Sequence, residues 1–125
     1  MLMETLLLLL LLQVKHCYAD FMIQTYQQTV RKGIYRDPVG ISHSVDHVYS
    51  TLVVLLIYCL CVPLSVPAIL FVAFVEGVIH YHIDWTKIHF GCKDNTKPAF
   101  WAQFGYDQLA HQITYIWMIW FLLLH

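Results

Sequence analysis

Histidine and aspartate recur in this sequence as pairs spaced i, i+4. The pairs are His16 and Asp20, His43 and His47, His80 and Asp84, and Asp107 and His111. On an α-helix this spacing places both side chains on one face, about one turn apart. Neutral imidazoles and carboxylates are ligands of Zn²⁺, Fe²⁺ and Mn²⁺. One pair on each of four segments therefore predicts a divalent metal site, with these eight residues as ligands for two ions or for one ion and a general base.

Two further carboxylates, Asp46 and Glu76, are candidates for the proton acceptor of a metal-assisted reaction. Asp46 lies between the two histidines of the second segment, and Glu76 lies one turn before His80 on the same helix face. A metal ion lowers the pKa of its bound water, and a nearby carboxylate can take up the proton. The sequence therefore predicts a catalytic role for Asp46 or Glu76.

Three polar residues are expected to contact the metal ligands or a bound phosphate without binding the metal themselves. Gln24 lies one turn after Asp20, and Gln108 lies beside a paired aspartate, so both amides can orient metal ligands. Lys87 follows Asp84 by three positions and can balance carboxylate charge or bind a phosphate. A lysine that only sets membrane topology is the alternative for Lys87.

The composition indicates a membrane protein. Of 125 residues, 59% are hydrophobic and 12% charged, and the mean hydropathy is +0.61. Soluble domains carry about 25% charged residues. The formal net charge is −1, so the chain has no basic field that would attract nucleic acid, and we expect no nucleic-acid partner.

Four apolar segments position the paired residues. We expect one transmembrane domain over residues 1–125, with spans at about 2–26, 41–62, 66–89 and 100–124, since a span needs about 20 residues. The predicted fold is an all-α, polytopic membrane four-helix bundle. Charged groups within a bilayer cost about 2.5 to 3.5 kcal/mol and face the bundle interior, so the pairs should converge there.

Basic residues in the loops predict the orientation of the spans. Arg31, Lys32 and Arg36 follow the first segment, and Lys87, Lys93 and Lys97 follow the third. Basic loops stay in the cytoplasm, so both termini lie outside (N-out and C-out) in a bacterial inner membrane. The metal site is then expected near the cytoplasmic face.

The leucine run 6–12 leaves one alternative open, a secretory signal that is cleaved before Asp20. Signal peptides begin with basic residues, and no Lys or Arg precedes these leucines. Lys15 and His16 also stand where a neutral region is usual. For these two reasons we expect an uncleaved first span. Cleavage before Asp20 would remove His16 from the predicted metal site.

Several motifs resemble a family of small bacterial and phage membrane proteins of unassigned function, domain-of-unknown-function family 3307. The matching elements are HCYADFMIQ at 16–24, Lys32, HSVDH at 43–47, HYHIDWTK at 80–87 and DQLAH at 107–111. The resemblance implies a polytopic membrane protein and supplies no reaction. The organisation is also similar, more loosely, to membrane metal-dependent hydrolases with His and Asp at inner helix ends.

Three functions are compatible with these features. The leading hypothesis is a metal-dependent hydrolase of a lipid or phosphoester, with Zn, Mn or Fe as cofactor and the lipid bilayer as its surroundings. The second is transport of protons or metal ions. The third is a non-enzymatic phage or bacterial membrane protein that binds a partner, its polar residues joining the helices. A homodimer fits the small volume that four short spans enclose.

Overall fold

The computed structural model describes residues 1–124, and these residues form helices and connecting turns without any β-strand. The helices are α1 (Leu2–Cys17), α2 (Tyr26–Arg31), α3 (Pro38–Tyr58), α4 (Val66–Phe90) and α5 (Pro98–Ile119). A π-helical turn extends α1 over Tyr18–Met22, and another extends α5 over Trp120–Leu124. The predicted all-α class is confirmed.

Three helical segments are long and apolar enough to cross a membrane. They are Leu2–Met22, Pro38–Tyr58 and Val66–Phe90. Helix α5 is not among them, because glutamines, Asp107 and His111 interrupt its apolar residues. The chain therefore has the character of a membrane protein, while the fourth span and the orientation stay predictions.

The four long helices pack in a ring. Helix α1 contacts α3 and α5, and α4 contacts the same two helices from the other side. The short helix α2 packs against α3. This arrangement places the inner faces of all four long helices around one interior.

That interior has an apolar layer and a polar layer. The apolar layer is built from buried residues of all four long helices, including Leu8, Leu12, Leu55, Val72 and Met118. It occupies the end formed by the first half of α1, the second half of α3, the first half of α4 and the second half of α5. The paired histidines and aspartates occupy the opposite end, so the two layers follow directly from the order of apolar and polar residues along each helix.

Local sequence signals explain where the helices near the polar layer begin. The Asp37 carboxylate accepts hydrogen bonds from the backbone N–H groups of Val39 at 2.9 Å and Gly40 at 3.2 Å. An Asp cap followed by proline at the first helical position is a strong start signal. Helix α3 therefore begins at Pro38, ahead of the span start that apolarity alone suggested near Ile41.

A separate short helix follows α1, which sequence analysis did not foresee. The expected first span reached residue 26, whereas the π-helical turn ends at Met22. Helix α2 then starts with a capping box: the Gln28 backbone N–H donates to Thr25 Oγ1 at 3.2 Å, and the Thr25 N–H donates to Gln28 Oε1 at 2.9 Å. The T-x-x-Q spacing is a recognised start signal.

Helices α3 and α4 approach each other closely at Gly77. A Cβ atom at this position would lie 2.4 Å from Cγ2 of Val48, which is far inside van der Waals contact. Valine is stiff about χ1, so its methyl group cannot move aside easily. The α3–α4 contact therefore depends on a residue without a side chain at position 77.

We expect Gly77→Ala to destabilise the protein by about 1 to 3 kcal/mol through overpacking, measured by unfolding in detergent. The double variant Gly77→Ala/Val48→Ala should regain part of this loss, because the clashing methyl group is removed. Gly105→Ala is the matched control, since a Cβ there meets nothing within 4 Å in residues 1–124. Equal stability of Gly77→Ala and the wild type would contradict this account of the contact.

Candidate metal centre

The structure gathers the paired residues in the polar layer. His16 comes from α1 and Asp20 from the π-helical turn that follows it, and the other residues come from α3, α4 and α5. All eight predicted ligands are buried, with Asp20 the most exposed at 8%. The π-helical turn is a geometry that recurs at functional sites, and here it carries an aspartate into the interior.

A first group of ligand atoms surrounds one oxygen of Asp20. Oδ1 of Asp20 lies 2.7 Å from Nε2 of His47 and 3.0 Å from Nε2 of His43. The same oxygen lies 3.7 Å from Nε2 of His80. One ligand atom from each of these four residues lies within 4.8 Å of all the others, so one ion could contact all four.

Two histidines of the first group lie at the separation of two ligands of one metal ion. The Nε2 atoms of His43 and His80 are 3.3 Å apart, and only one of them can carry a proton toward the other without repulsion. In a tetrahedral site with bonds of 2.0 to 2.1 Å, two ligand atoms are separated by about 3.3 Å. The separation of these two nitrogens therefore matches that of two ligands of one ion, and the first group could hold a divalent ion.

A second group adjoins the first and shares His80 with it. Its members are His80, Asp84 and His111. Oδ2 of Asp84 lies 3.2 Å from Nε2 of His80, and Oδ1 lies 3.4 Å from Nε2 of His111. Oδ1 of Asp107 lies 3.5 Å from the same His111 nitrogen. The two groups thus form one continuous His/Asp cluster.

Gln108 of α5 and Lys87 of α4 both form hydrogen bonds with Asp107, at the side of the cluster that α5 forms. The Gln108 amide donates to Oδ2 of Asp107 at 3.1 Å, and its carbonyl oxygen lies 2.9 Å from Nε2 of His16. The Lys87 ammonium donates to Oδ2 of Asp107 at 3.0 Å. Gln108 thus contacts its neighbour Asp107, and Lys87 contacts Asp107 and not Asp84, from which its position was predicted; the supporting roles of both residues stay predictions.

Gln24 contacts the cluster through the Asp20 backbone and through Lys32. Its side-chain N–H donates to the backbone carbonyl of Asp20 at 2.7 Å, not to the carboxylate. Its Oε1 accepts from the Lys32 ammonium at 2.8 Å, and Lys32 also donates to Oδ2 of Asp84 at 3.1 Å. Lys32 is 5% exposed, so it is an internal partner of the cluster as well as a residue of the basic loop.

His16 lies at the margin of the cluster. Its Nε2 is 3.3 Å from Oδ2 of Asp20 and also contacts Gln108. Its Nδ1 is 2.9 Å from the Tyr115 hydroxyl oxygen. Because both ring nitrogens have protein partners, His16 is placed to orient Asp20, and its role as a metal ligand stays a prediction.

A buried ion pair separates the His/Asp cluster from the apolar layer. The Lys15 ammonium donates to Oε1 of Glu76 and, at 3.2 Å, to the Tyr115 hydroxyl. It also lies 3.1 Å from Nδ1 of His47. Oε2 of Glu76 accepts from the Thr51 hydroxyl. Sequence analysis gave Lys15 no place in the site, although a lysine within an apolar helix is itself a signal for an internal partner.

The two carboxylates expected to accept protons lie outside the two ligand groups. The two oxygens of Glu76 accept hydrogen bonds from Lys15 and Thr51. Its Oε1 lies 3.9 Å from Nδ1 of His47. Oδ2 of Asp46 accepts from the Gln28 amide at 2.8 Å and faces α2. The catalytic roles of Asp46 and Glu76 stay predictions.

Comparison with known proteins identifies the family. The sequence profile of a protein family of unknown function, DUF3307, matches residues 6–125. The chain belongs to the DUF3307 family. The resemblance seen in the motifs is thereby confirmed over nearly the whole chain.

No curated protein and no solved structure matches this DUF3307 chain. The family description supplies no reaction. The features of this DUF3307 protein that bear on its function are its apolar helices and the buried His/Asp cluster that could hold a metal ion.

We expect Lys15→Met in this DUF3307 protein to lower the free energy of unfolding by about 3 to 5 kcal/mol, because Glu76 is left buried and unpaired. Unfolding in detergent, followed by circular dichroism, measures the loss. The double variant Lys15→Met/Glu76→Gln should recover most of it, since the charge is removed while Thr51 keeps an acceptor.

Lys93→Met, at an exposed lysine, is the matched control for this ion pair and should leave stability unchanged. A double variant as unstable as Lys15→Met would refute the pairing argument, because the lost stability would then come from packing of the lysine stem.

Proposed function

We propose that this protein is a metal-dependent hydrolase of phosphate esters in anionic lipids. It would lie in a bacterial inner membrane with four spans, α5 being the fourth, and with both termini outside. The observation that carries the proposal is the first ligand group, in which Asp20, His43, His47 and His80 converge within 4.8 Å. Three imidazoles and one carboxylate form a donor set suited to Zn²⁺, Mn²⁺ or Fe²⁺.

The charge balance of the cluster supports a divalent ion and an anionic substrate. Asp20, Asp84 and Asp107 bring three negative charges, and Lys32 and Lys87 bring two positive charges. With neutral histidines, one uncompensated negative charge remains in a buried region, where charge is costly. A divalent ion would change the net charge of the cluster from −1 to +1, and a positive charge favours binding of a phosphate group.

A cavity beside the cluster has the chemistry of a phosphate headgroup site. It has a volume of about 630 Å³ and lies between α2, the end of α4 and the start of α5. Lys32, Lys87 and Lys93 line it, together with Gln24. Lys32 and Lys87 stand between this cavity and the carboxylates of Asp84 and Asp107. Lysine ammonium groups bind phosphate as point charges.

An apolar groove next to this cavity supports a lipid substrate. The groove, of about 660 Å³, lies between α4 and α5 and is lined by residues such as Ile79, Ile83 and Tyr106. Lys87 and Gln103 line both spaces. A molecule with an anionic head and a hydrocarbon chain could therefore contact the lysines and the apolar groove together.

The proposed roles follow from these contacts. A bound divalent ion would supply Lewis acidity, which activates water and polarises the phosphoryl group. Asp20 and the three histidines would hold the ion, while Lys32 and Lys87 would orient the phosphate. Asp84 lies beside these ligands, with its Oδ2 3.2 Å from Nε2 of His80, whereas Asp46 and Glu76 lie outside both ligand groups.

The apolar layer argues against transport across the bundle. On the side of the Lys15–Glu76 pair that faces away from the His/Asp cluster, the interior is filled by residues such as Leu8, Leu55 and Val72. Within residues 1–124 this layer offers no chain of ionisable groups toward the other end of the bundle. A relay of protons or ions needs polar groups along its path, so we prefer hydrolysis on the side that carries the polar cluster.

We expect the detergent-purified protein to contain at least about one divalent ion per chain and to release phosphate from phosphatidic acid or glycerol phosphate headgroups from phosphatidylglycerol. EDTA should abolish hydrolysis, and added Zn²⁺ or Mn²⁺ should restore it. Asp20→Asn and His80→Gln should each reduce kcat by more than about 100-fold, since loss of the ion removes activation of water.

His89→Gln is the matched control, because His89 is exposed and stacks on Trp85 away from the cluster. It should keep the wild-type rate and metal content. Hydrolysis that persists in Asp20→Asn, or a metal-loaded protein that cleaves neither lipid and instead carries Mn²⁺ into liposomes, would overturn the proposal.

A further inference from the structure

We propose that the cluster binds a second divalent ion between Asp84, Asp107 and His111. Three buried atoms carry this inference: Oδ1 of Asp84, Oδ1 of Asp107 and Nε2 of His111. None of the three has a hydrogen-bond partner within residues 1–124. Each residue is at least nine-tenths buried. Buried polar atoms without partners are rare and costly. Oδ1 of Asp84 and Oδ1 of Asp107 both face Nε2 of His111, so the three atoms call for a common ligand.

The distances among these atoms fit coordination better than hydrogen bonding. Nε2 of His111 lies 3.4 Å from Oδ1 of Asp84 and 3.5 Å from Oδ1 of Asp107. Hydrogen bonds between N–H and oxygen span about 2.7 to 3.2 Å. Two ligands with bonds of about 2.0 to 2.2 Å to one ion are separated by about 3.4 Å. Nε2 of His111 therefore lies at the separation of two ligands of one ion from each of the two carboxylate oxygens.

The Oδ2 atoms of Asp84 and Asp107 accept hydrogen bonds from neighbouring side chains. Lys87 and Gln108 both donate to Oδ2 of Asp107, and Lys32 donates to Oδ2 of Asp84. These contacts orient both carboxylates so that their Oδ1 atoms face His111. Such fixing of metal-binding carboxylates by outer hydrogen bonds is a general feature of metal sites.

Asp84 connects the second site to the first. Its Oδ2 lies 3.3 Å from Nε2 of His43, a member of the first group, while its Oδ1 faces His111. One carboxylate thus presents its two oxygens to two ligand sets, as a bridging ligand does. This inference rests on the proposed first ion, because a bridge requires both. In the hydrolase, Asp84 would then be a shared ligand, and the second ion would stabilise the leaving oxygen of the phosphate ester.

The competing explanation is a protonated His111 between two carboxylates, with no second ion. The full-length protein in detergent, stripped with EDTA and dialysed against Mn²⁺, distinguishes them by elemental analysis. We expect about two ions per chain in the wild type and about one in His111→Gln and Asp107→Asn. His89→Gln and Asp94→Asn, on exposed residues outside the cluster, should keep about two.

Low-temperature electron paramagnetic resonance of the Mn²⁺-loaded wild type is a second measurement that does not depend on a variant folding. We expect the exchange-coupled spectrum of two neighbouring ions. About one ion per chain in the wild type and in His111→Gln, with the spectrum of an isolated ion, would overturn the second site and leave the hydrolase proposal standing. A wild type that binds no ion would overturn both.

Discussion

Three aspartates buried together at one end of a helical membrane protein are the constraint on which this structure depends. A carboxylate removed from water must find compensating charge or hydrogen bonds, and each of these three has imidazole or ammonium groups within 3.5 Å. Those partners come from different helices, so electrostatic compensation also fixes how the helices face one another. The side chains that join the helices are therefore the same ones that could hold a metal ion.

The division of the interior into two layers gives the cluster a single accessible side. The leucine-rich start of α1 and the apolar halves of the other helices close one end. The opposite end carries the basic loops and the lysine-lined cavity. Polarity thus increases in one direction along the long helices, and the His/Asp cluster lies toward the lysine-lined cavity.

Much of the site could be predicted from sequence because i, i+4 spacing needs only local helix geometry. The partners across helices could not, because they depend on the rotation of each helix and on the break between Met22 and Thr25. Lys32 was read as a loop charge, yet this break and α2 bring it to Asp84. Asp46 was grouped with its neighbouring histidines, but adjacent helical residues differ by about 100°, and its carboxylate faces α2.

The buried ammonium group of Lys15 has a consequence for how the protein is made. Its carboxylate partner, Glu76, lies 61 positions downstream, so the first hydrophobic segment emerges from the ribosome long before its counter-charge exists. A lone lysine at that depth is poorly accepted by the hydrocarbon phase. The buried pair can therefore form only after α4, the third long helix, has been synthesised.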